Sequence, residues 1–231
     1  MTRLAIIAQQ LDKIQQRIEA AAHAAGRQAD EIQLLAVSKT RPAEDITAAI
    51  AAGQTRFGEN YLQEALDKIH AIRNTECEWH FIGPCQSNKT SAIATVFDWV
   101  HSIDRLKIAQ RLNDQRTSTQ ALNICLQVNI SKEASKAGVD PAELPALAEA
   151  IEAMPKLQLR GIMALPAAET DFDKQRSTFA EVKALLNDLN SRGHHLDTLS
   201  MGMSNDMEAA IMEGATLVRI GTDIFGARHT S

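Results

Sequence analysis

Eight short runs of strand-forming residues alternate along this chain with stretches of helical periodicity. The predicted strands are residues 33–37, 55–57, 78–82, 99–103, 123–128, 158–163, 198–203 and 217–220. Strands that are separated by helices pair in parallel through right-handed crossovers. An open, doubly wound sheet would accommodate this pattern, but eight repeats favour a closed (β/α)8 barrel. The sequence therefore predicts an α/β fold of the TIM-barrel type.

One predicted helix, residues 4–25, precedes the first strand. Leu4, Ile7, Leu11 and Ile14 recur at three- and four-residue steps, which is the spacing of an amphipathic helix. Only nine residues follow Thr222, too few for a helix of ordinary length after the last strand. We therefore expect the N-terminal helix to occupy the eighth helical position. Since no Pro/Gly-rich linker divides the chain, residues 1–231 are predicted to form one domain.

Charge and composition exclude several classes of protein. The 24 Lys and Arg residues against 29 Asp and Glu give a net charge of −5, which argues against a nucleic-acid-binding protein. No apolar run has the length of a membrane span, and the N-terminus lacks the apolar core of a signal peptide, so a cytoplasmic protein is expected. The spacing of Cys77, Cys85 and Cys125 fits neither a disulfide framework nor a zinc site.

In such barrels the chemistry takes place where strands end at their carboxyl side. Lys39 follows the apolar run 34–37, so it is placed at the mouth of the first strand. A lysine that loses hydration there becomes a nucleophilic amine, and its partner is a carbonyl such as a sugar-phosphate aldehyde or pyridoxal phosphate. The alternative is a solvated lysine at a strand end.

The last two predicted strands are followed by residues suited to a phosphate group. Gly202 permits a tight approach, and Ser204 near a helix N-cap adds a hydroxyl donor at a helix end that favours anions. Gly221 and Thr222 follow strand eight, and barrels commonly bind phosphate at their last two strands. The alternative is an N-cap serine and a turn glycine.

Three further side chains have both a binding and a structural interpretation. Arg219 lies in the apolar run 217–220 and needs a buried acceptor, which a pyridine nitrogen, a phosphate or a structural carboxylate would provide. Asn60 either binds a ring substituent or caps a helix, in which case Gln63 completes a capping box. Met163 either packs on a ring face or belongs to the core. His80 is interpreted as a core residue.

Six segments together resemble the pyridoxal phosphate homeostasis protein family. They are AVSKTRP, FGENYLQE, WHFIGPCQSNK, LRGIMAL, LSMGMSNDMEAAI and VRIGTDIFGAR, in this order between residues 36 and 228. The resemblance implies a barrel of the alanine racemase N-terminal type with pyridoxal phosphate held as an aldimine on Lys39. It places the phosphate against Ser204, Gly221 and Thr222, the pyridine nitrogen against Arg219, and Asn60 and Met163 near the cofactor. The departures are Cys85 in place of an aliphatic residue and Arg41 in place of a frequent lysine.

The resemblance also implies a role in holding the cofactor and delivering it to apo-enzymes, without robust turnover. An amino-acid racemase is the alternative. It requires a second acid/base opposite Lys39, for which Tyr61, His80 and Cys85 are the candidates. A Schiff-base aldolase has no specific motif here. No apolar stripe beyond the core is evident, so a monomer is expected. Whether Lys89, Lys132 or Lys136 forms a second, reversible cofactor site stays open.

Overall fold

Eight parallel strands close into a barrel in the order in which they occur along the chain. The computed structural model describes residues 1–73, 76–131 and 137–227. The strands are β1 (Gln33–Val37), β2 (Arg56–Glu59), β3 (Glu78–Phe81), β4 (Trp99–Ile103), β5 (Leu122–Val128), β6 (Leu157–Ala164), β7 (Thr198–Ser200) and β8 (Leu217–Ile220). β1 pairs with β8, so the barrel has no open edge. The predicted (β/α)8 barrel is confirmed.

The helices form a layer around this barrel. They are α1 (Arg3–Ala24), α2 (Ala43–Ala51), α3 (Leu62–Ile72), α4 (Thr90–Val96), α5 (Leu106–Gln115), α6 (Leu144–Glu152), α7 (Phe172–Ser191), α8 (Met207–Met212) and α9 (Thr222–Phe225). α4 has no counterpart among the predicted helices. It is short and rich in β-branched residues, which have low helix propensity, so packing rather than local preference makes this segment helical.

The first helix completes the ring. α9, which follows the last strand, has only four residues, and α1 packs against α2, α8 and α9 in the position where an eighth helix belongs. Ile7, Leu11, Ile14 and Ile18 are buried on its inner side, whereas Leu4 is exposed. The prediction that the N-terminal helix takes the eighth position is confirmed.

The seventh strand is shorter than the sequence predicts. It ends at Ser200 because Gly202 has a φ of +94°, which is incompatible with an extended strand. A Cβ at position 202 would lie 2.7 Å from the Cβ of Ala210, so only glycine lets the chain pass this close to α8. The strand consequently ends three residues earlier than predicted, and Met203 to Asp206 form a loop that lines the mouth of the barrel.

None of the helices in the described ranges is both long and apolar enough to cross a bilayer. Within the same residues, no group of three or more His, Cys, Asp or Glu side chains is arranged to hold a metal ion. The three cysteines are buried and unpaired.

Candidate functional site

A cavity of about 590 Å³ opens at the carboxyl ends of the strands. Its wall includes all seven residues that the sequence singles out for a cofactor: Lys39, Asn60, Met163, Ser204, Arg219, Gly221 and Thr222. They come from β1, β2, β6, β7 and β8 or from the residues that follow these strands. The fold therefore brings the seven together, while their contacts with a ligand stay predictions.

Lys39 lies in a tight loop directly after β1. The next residue, Thr40, has a φ of +62°, a left-handed conformation that costs a non-glycine residue on the order of 1 kcal/mol. The backbone N–H of Thr40 donates to Glu64 Oε1 at 2.5 Å, and this bond from α3 holds the strained residue in place. The loop conformation thus depends on a side chain outside the loop.

A buried ion cluster anchors the other side of Lys39. Lys68 Nζ donates to the backbone oxygen of Ser38 at 2.7 Å and to Glu59 Oε1 at 2.8 Å. Ser38 Oγ donates to the same Glu59 oxygen at 2.6 Å, and Lys68 also pairs with Glu64. Burial raises the pKa of Glu59, and the attraction of Lys68 opposes this rise. The residues before and after Lys39 are therefore both bound to this cluster.

Asn60 offers the cavity an acceptor that the described residues do not use. Its Oδ1 is buried and has no hydrogen-bond partner among them. The predicted capping box is wrong: α3 begins at Leu62, and Gln63 instead donates to Asp67 Oδ1 at 3.2 Å. A Cβ at Gly83 would lie 2.1 Å from the backbone oxygen of Asn60, so this glycine allows the β3 loop to support Asn60.

Arg219 lies at the bottom of the cavity and is 4% exposed. Its Nη1 donates to the backbone oxygen of Ser200 at 2.5 Å and to Ser200 Oγ at 2.8 Å, and its Nη2 donates to the backbone oxygen of Ala164 at 2.9 Å. Burial lowers its pKa to about 10, against the attraction of Asp206 on the same wall. In the described part of the chain no carboxylate forms an ion pair with it, and its Nε–H takes no part in these bonds.

A chain of buried hydrogen bonds leads from Arg219 through the barrel. Ser200 Oγ contacts His101 Nδ1 at 2.8 Å, His101 Nε2 contacts His80 Nδ1 at 2.9 Å, and His80 Nε2 contacts Glu78 Oε1 at 2.8 Å. Burial lowers the pKa of both histidines, that of His101 well below its usual value.

One arrangement of protons satisfies this chain. A neutral imidazole has one donor and one acceptor nitrogen, and ionised Glu78 only accepts. His80 Nε2–H therefore donates to Glu78, His101 Nε2–H donates to His80, and Ser200 Oγ–H donates to His101, which leaves Ser200 Oγ to accept from Arg219. The buried position predicted for His80 is confirmed, but its partners were not found from the sequence. Histidines in two neighbouring strands are the signal that was available.

Replacing His101 with leucine tests this chain. We expect His101→Leu to lower the free energy of unfolding by about 2–3 kcal/mol, because Ser200 and His80 each lose a buried partner. Both histidines have lowered pKa values in the folded protein. Below pH 6.5 they therefore bind more protons in the unfolded chain than in the native one, so the wild-type free energy of unfolding falls as the pH falls. This slope should be shallower in the variant.

The measurement is urea unfolding between pH 5 and 8. His195→Leu is the matched control because His195 is exposed, and we expect it to change stability by less than about 0.5 kcal/mol. Equal effects of the two substitutions would contradict the hydrogen-bond chain.

The residues predicted to bind the phosphate lie in two segments: Ser204 is in the loop between β7 and α8, whereas Gly221 and Thr222 lie where α9 begins. α8 begins at Met207 and has six residues, and its N-cap residue is Asp206. Ser204 therefore lies near the N-cap, as predicted, but the alternative that it is the N-cap residue itself is wrong. Instead, Asp206 Oδ1 accepts a hydrogen bond from the backbone N–H of Met203 at 2.6 Å, which shapes the loop that carries Ser204.

The second segment predicted to bind the phosphate follows β8 and leads into α9. A Cβ at Gly221 would lie 3.0 Å from the backbone oxygen of Val37, so glycine allows the ends of β8 and β1 to come together. Among the hydrogen bonds of the described residues, none uses the backbone N–H of Ser204, Gly221 or Thr222. These donors fit the oxygens of a phosphate group.

Other candidate residues lie outside the cavity. Tyr61 and Lys89 are exposed and line a separate cleft, while His80 and Cys85 are buried in the protein. Burial raises the pKa of Cys85 to about 12. Met163 packs with Trp99 and Cys125, as its core interpretation predicts, and it also lines the cavity; its packing on a ring stays a prediction. Lys132 and Lys136 lie outside the described residues.

Comparison with known proteins decides the family. Residues 9–229 match the family model described as alanine racemase, N-terminal domain. The pyridoxal phosphate homeostasis protein of Pseudomonas aeruginosa is 57% identical over 226 residues, which cover 97% of each chain. That of Escherichia coli is 53% identical over 229 residues, 97% of this chain and 98% of the relative.

The chain belongs to the pyridoxal phosphate homeostasis protein family.

Solved structures agree with this membership. PipY of Synechococcus elongatus, solved with pyridoxal phosphate bound, is 35% identical to this chain, with a TM-score of 0.83 over 95% of this chain and 100% of PipY. An alanine racemase from Corynebacterium glutamicum is 19% identical, with a TM-score of 0.67 over 96% of this chain and 62% of the racemase. The racemase shares the barrel fold, and this chain matches only part of the racemase's length.

Proposed function

We propose that this protein binds pyridoxal phosphate in the cavity at the barrel mouth and supplies it to apo-enzymes, without robust turnover. The observation that carries the proposal is the wall of the cavity, which combines a lysine, a buried arginine and loop N–H groups. PipY, a relative with the same fold, is solved with pyridoxal phosphate bound, which supports the same ligand here. We further propose that the protein acts as a monomer in the cytoplasm.

The proposed binding mode assigns one part of the ligand to each part of the wall. The Lys39 amine condenses with the aldehyde, so that a C=N bond forms and one water molecule leaves. Ser204, Gly221 and Thr222 hold the phosphate, and Arg219 donates to the pyridine nitrogen. Asn60 accepts from a ring substituent, and Met163 packs on the ring.

Two features support storage over catalysis. Arg219 is a donor that keeps its protons at neutral pH, since even its lowered pKa is about 10. The pyridine nitrogen opposite it stays unprotonated, and the ring is then a poor electron sink. In addition, none of the racemase candidates Tyr61, His80 and Cys85 lines the described cavity wall.

The decisive experiment is an absorption spectrum of the purified protein with added pyridoxal phosphate, followed by borohydride reduction and peptide mass mapping. We expect a yellow protein with one pyridoxyl group on Lys39. A protein that stays colourless and unlabelled would overturn the proposal.

Turnover is tested separately in deuterium oxide. We expect the loaded protein to cause no exchange of the α-proton of L-alanine or L-serine above the rate with free pyridoxal phosphate. Exchange at an enzymatic rate would favour the amino-acid racemase instead.

A further inference from the structure

Arg17 contacts, from outside the cavity, the two segments of the proposed phosphate end, which are the loop that carries Ser204 and the start of α9 at Thr222. It projects from α1, and its Nε and Nη2 donate to the two carboxylate oxygens of Glu208 at 2.7 and 3.1 Å. Its Nη1 donates to Asp223 Oδ2 at 2.8 Å, and its Nη2 donates to the backbone oxygen of Ser204 at 2.9 Å. Arg17 is not part of the cavity wall.

These contacts join two segments that are far apart in the chain. Ser204 belongs to the loop after β7, and Asp223 directly follows Thr222 after β8. A planar guanidinium with several fixed donors holds its acceptors at set distances and angles. Arg17 therefore bridges Ser204 and Asp223, the residue that follows Thr222.

The same contacts change the charge around the phosphate end. Glu208 and Asp223 lie close to Ser204 and Thr222, and two further carboxylates, Glu169 and Asp206, line the cavity. A phosphate dianion is repelled by nearby carboxylates, and the repulsion is greatest where water is partly excluded. Arg17 binds two of these carboxylates at once, and its single positive charge offsets one of their two negative charges.

We propose that Arg17 is a positioning residue for the phosphate group of pyridoxal phosphate. It holds the loop that carries Ser204 and the start of α9 at Thr222 at the spacing that the phosphate requires, and it offsets one of the two negative charges of Glu208 and Asp223. The site thereby prefers the phosphorylated aldehyde over pyridoxal, although Arg17 touches neither. This inference rests on the proposed function.

The test compares two ligands that differ only in the phosphate. Dissociation constants for pyridoxal phosphate and for pyridoxal are measured by absorption for wild type, Arg17→Gln and Arg17→Lys. We expect Arg17→Gln to weaken pyridoxal phosphate binding by about tenfold and pyridoxal binding by less than about twofold. Arg17→Lys keeps the charge but not the planar geometry, so a smaller loss of the preference is expected.

The matched control is Arg27→Gln. Arg27 also connects the N-terminal segment to the α8 region, donating to the backbone oxygens of Ile211 and Ala215 at 2.9 Å each, but it lies away from the two segments. Its removal should leave the ratio of the two constants unchanged. Equal losses for both ligands in Arg17→Gln, or no loss for either, would overturn the inference. If wild type bound neither ligand, the proposed function itself would be wrong.

Discussion

Lys39→Ala protein is expected to be colourless with pyridoxal phosphate and to carry no pyridoxyl group after borohydride reduction. Alanine has no amine to form the C=N bond, while the phosphate and ring contacts remain. The dissociation constant for pyridoxal phosphate should rise by about a hundredfold, which is equivalent to about 2.7 kcal/mol of binding free energy. Equilibrium dialysis measures this loss, and peptide mass mapping shows whether the label is gone.

Two variants make this result specific. Lys39→Arg keeps a positive charge but forms no Schiff base, so it should also be unlabelled. Lys107 is exposed on α5, and Lys107→Ala should bind as wild type does. A pyridoxyl group found on another lysine of the Lys39→Ala protein, at wild-type stoichiometry, would mean that Lys39 is not the binding residue.

Lys68→Met should lower the free energy of unfolding by about 3–5 kcal/mol, because it leaves Glu59 buried without its cation. Glu59 is completely buried, and Lys68 lies 2.8 Å from it. A carboxyl group whose pKa is higher in the folded than in the unfolded protein lowers the protein's stability as the pH rises from the unfolded-state pKa to the folded-state pKa. Without Lys68 this pKa rises further, so the loss should be larger at pH 8 than at pH 5.

Urea unfolding at the two pH values measures this effect, with Lys107→Met as the control for replacing a lysine by methionine. Because Lys68 also contacts the backbone of Ser38, the variant should retain less pyridoxal phosphate as well. A Lys68→Met protein as stable as Lys107→Met at both pH values would contradict an ion cluster at this position.

The barrel was predictable because its signals are local. Apolar runs gave β1, β4 and β8 with the observed boundaries, and the surplus helix at the N-terminus indicated how the ring closes. The predicted end of β7 is wrong, and its cause is local too, but it becomes visible only from the packing of the folded chain. Met201 and Met203 continue a strand-like pattern, and only the approach of Gly202 to Ala210 shows that the strand cannot continue.

The residues of the cavity wall could be predicted from the residue types at strand ends, whereas the residues that hold this wall in place could not. Lys39 and Arg219 are unusual at their positions, so they stand out in the sequence. Glu59, Lys68 and Arg17 look like ordinary charged residues of amphipathic segments. Their roles depend on contacts between elements far apart in the chain, such as Arg17 with Asp223, which periodicity does not reveal.

The pairing of β1 with β8 has a consequence for synthesis on the ribosome. Ala36 faces Ile220, and α1 packs against α8 and α9, so the first elements to be made find their partners among the last. About 190 residues separate the end of α1 from β8. At a synthesis rate of about 5–20 residues per second, the ribosome needs roughly 10–40 s to make them. Through that interval the apolar side of α1, with Ile7 and Ile14, lacks its final cover. The nascent chain therefore exposes an aggregation-prone surface until its last strand emerges.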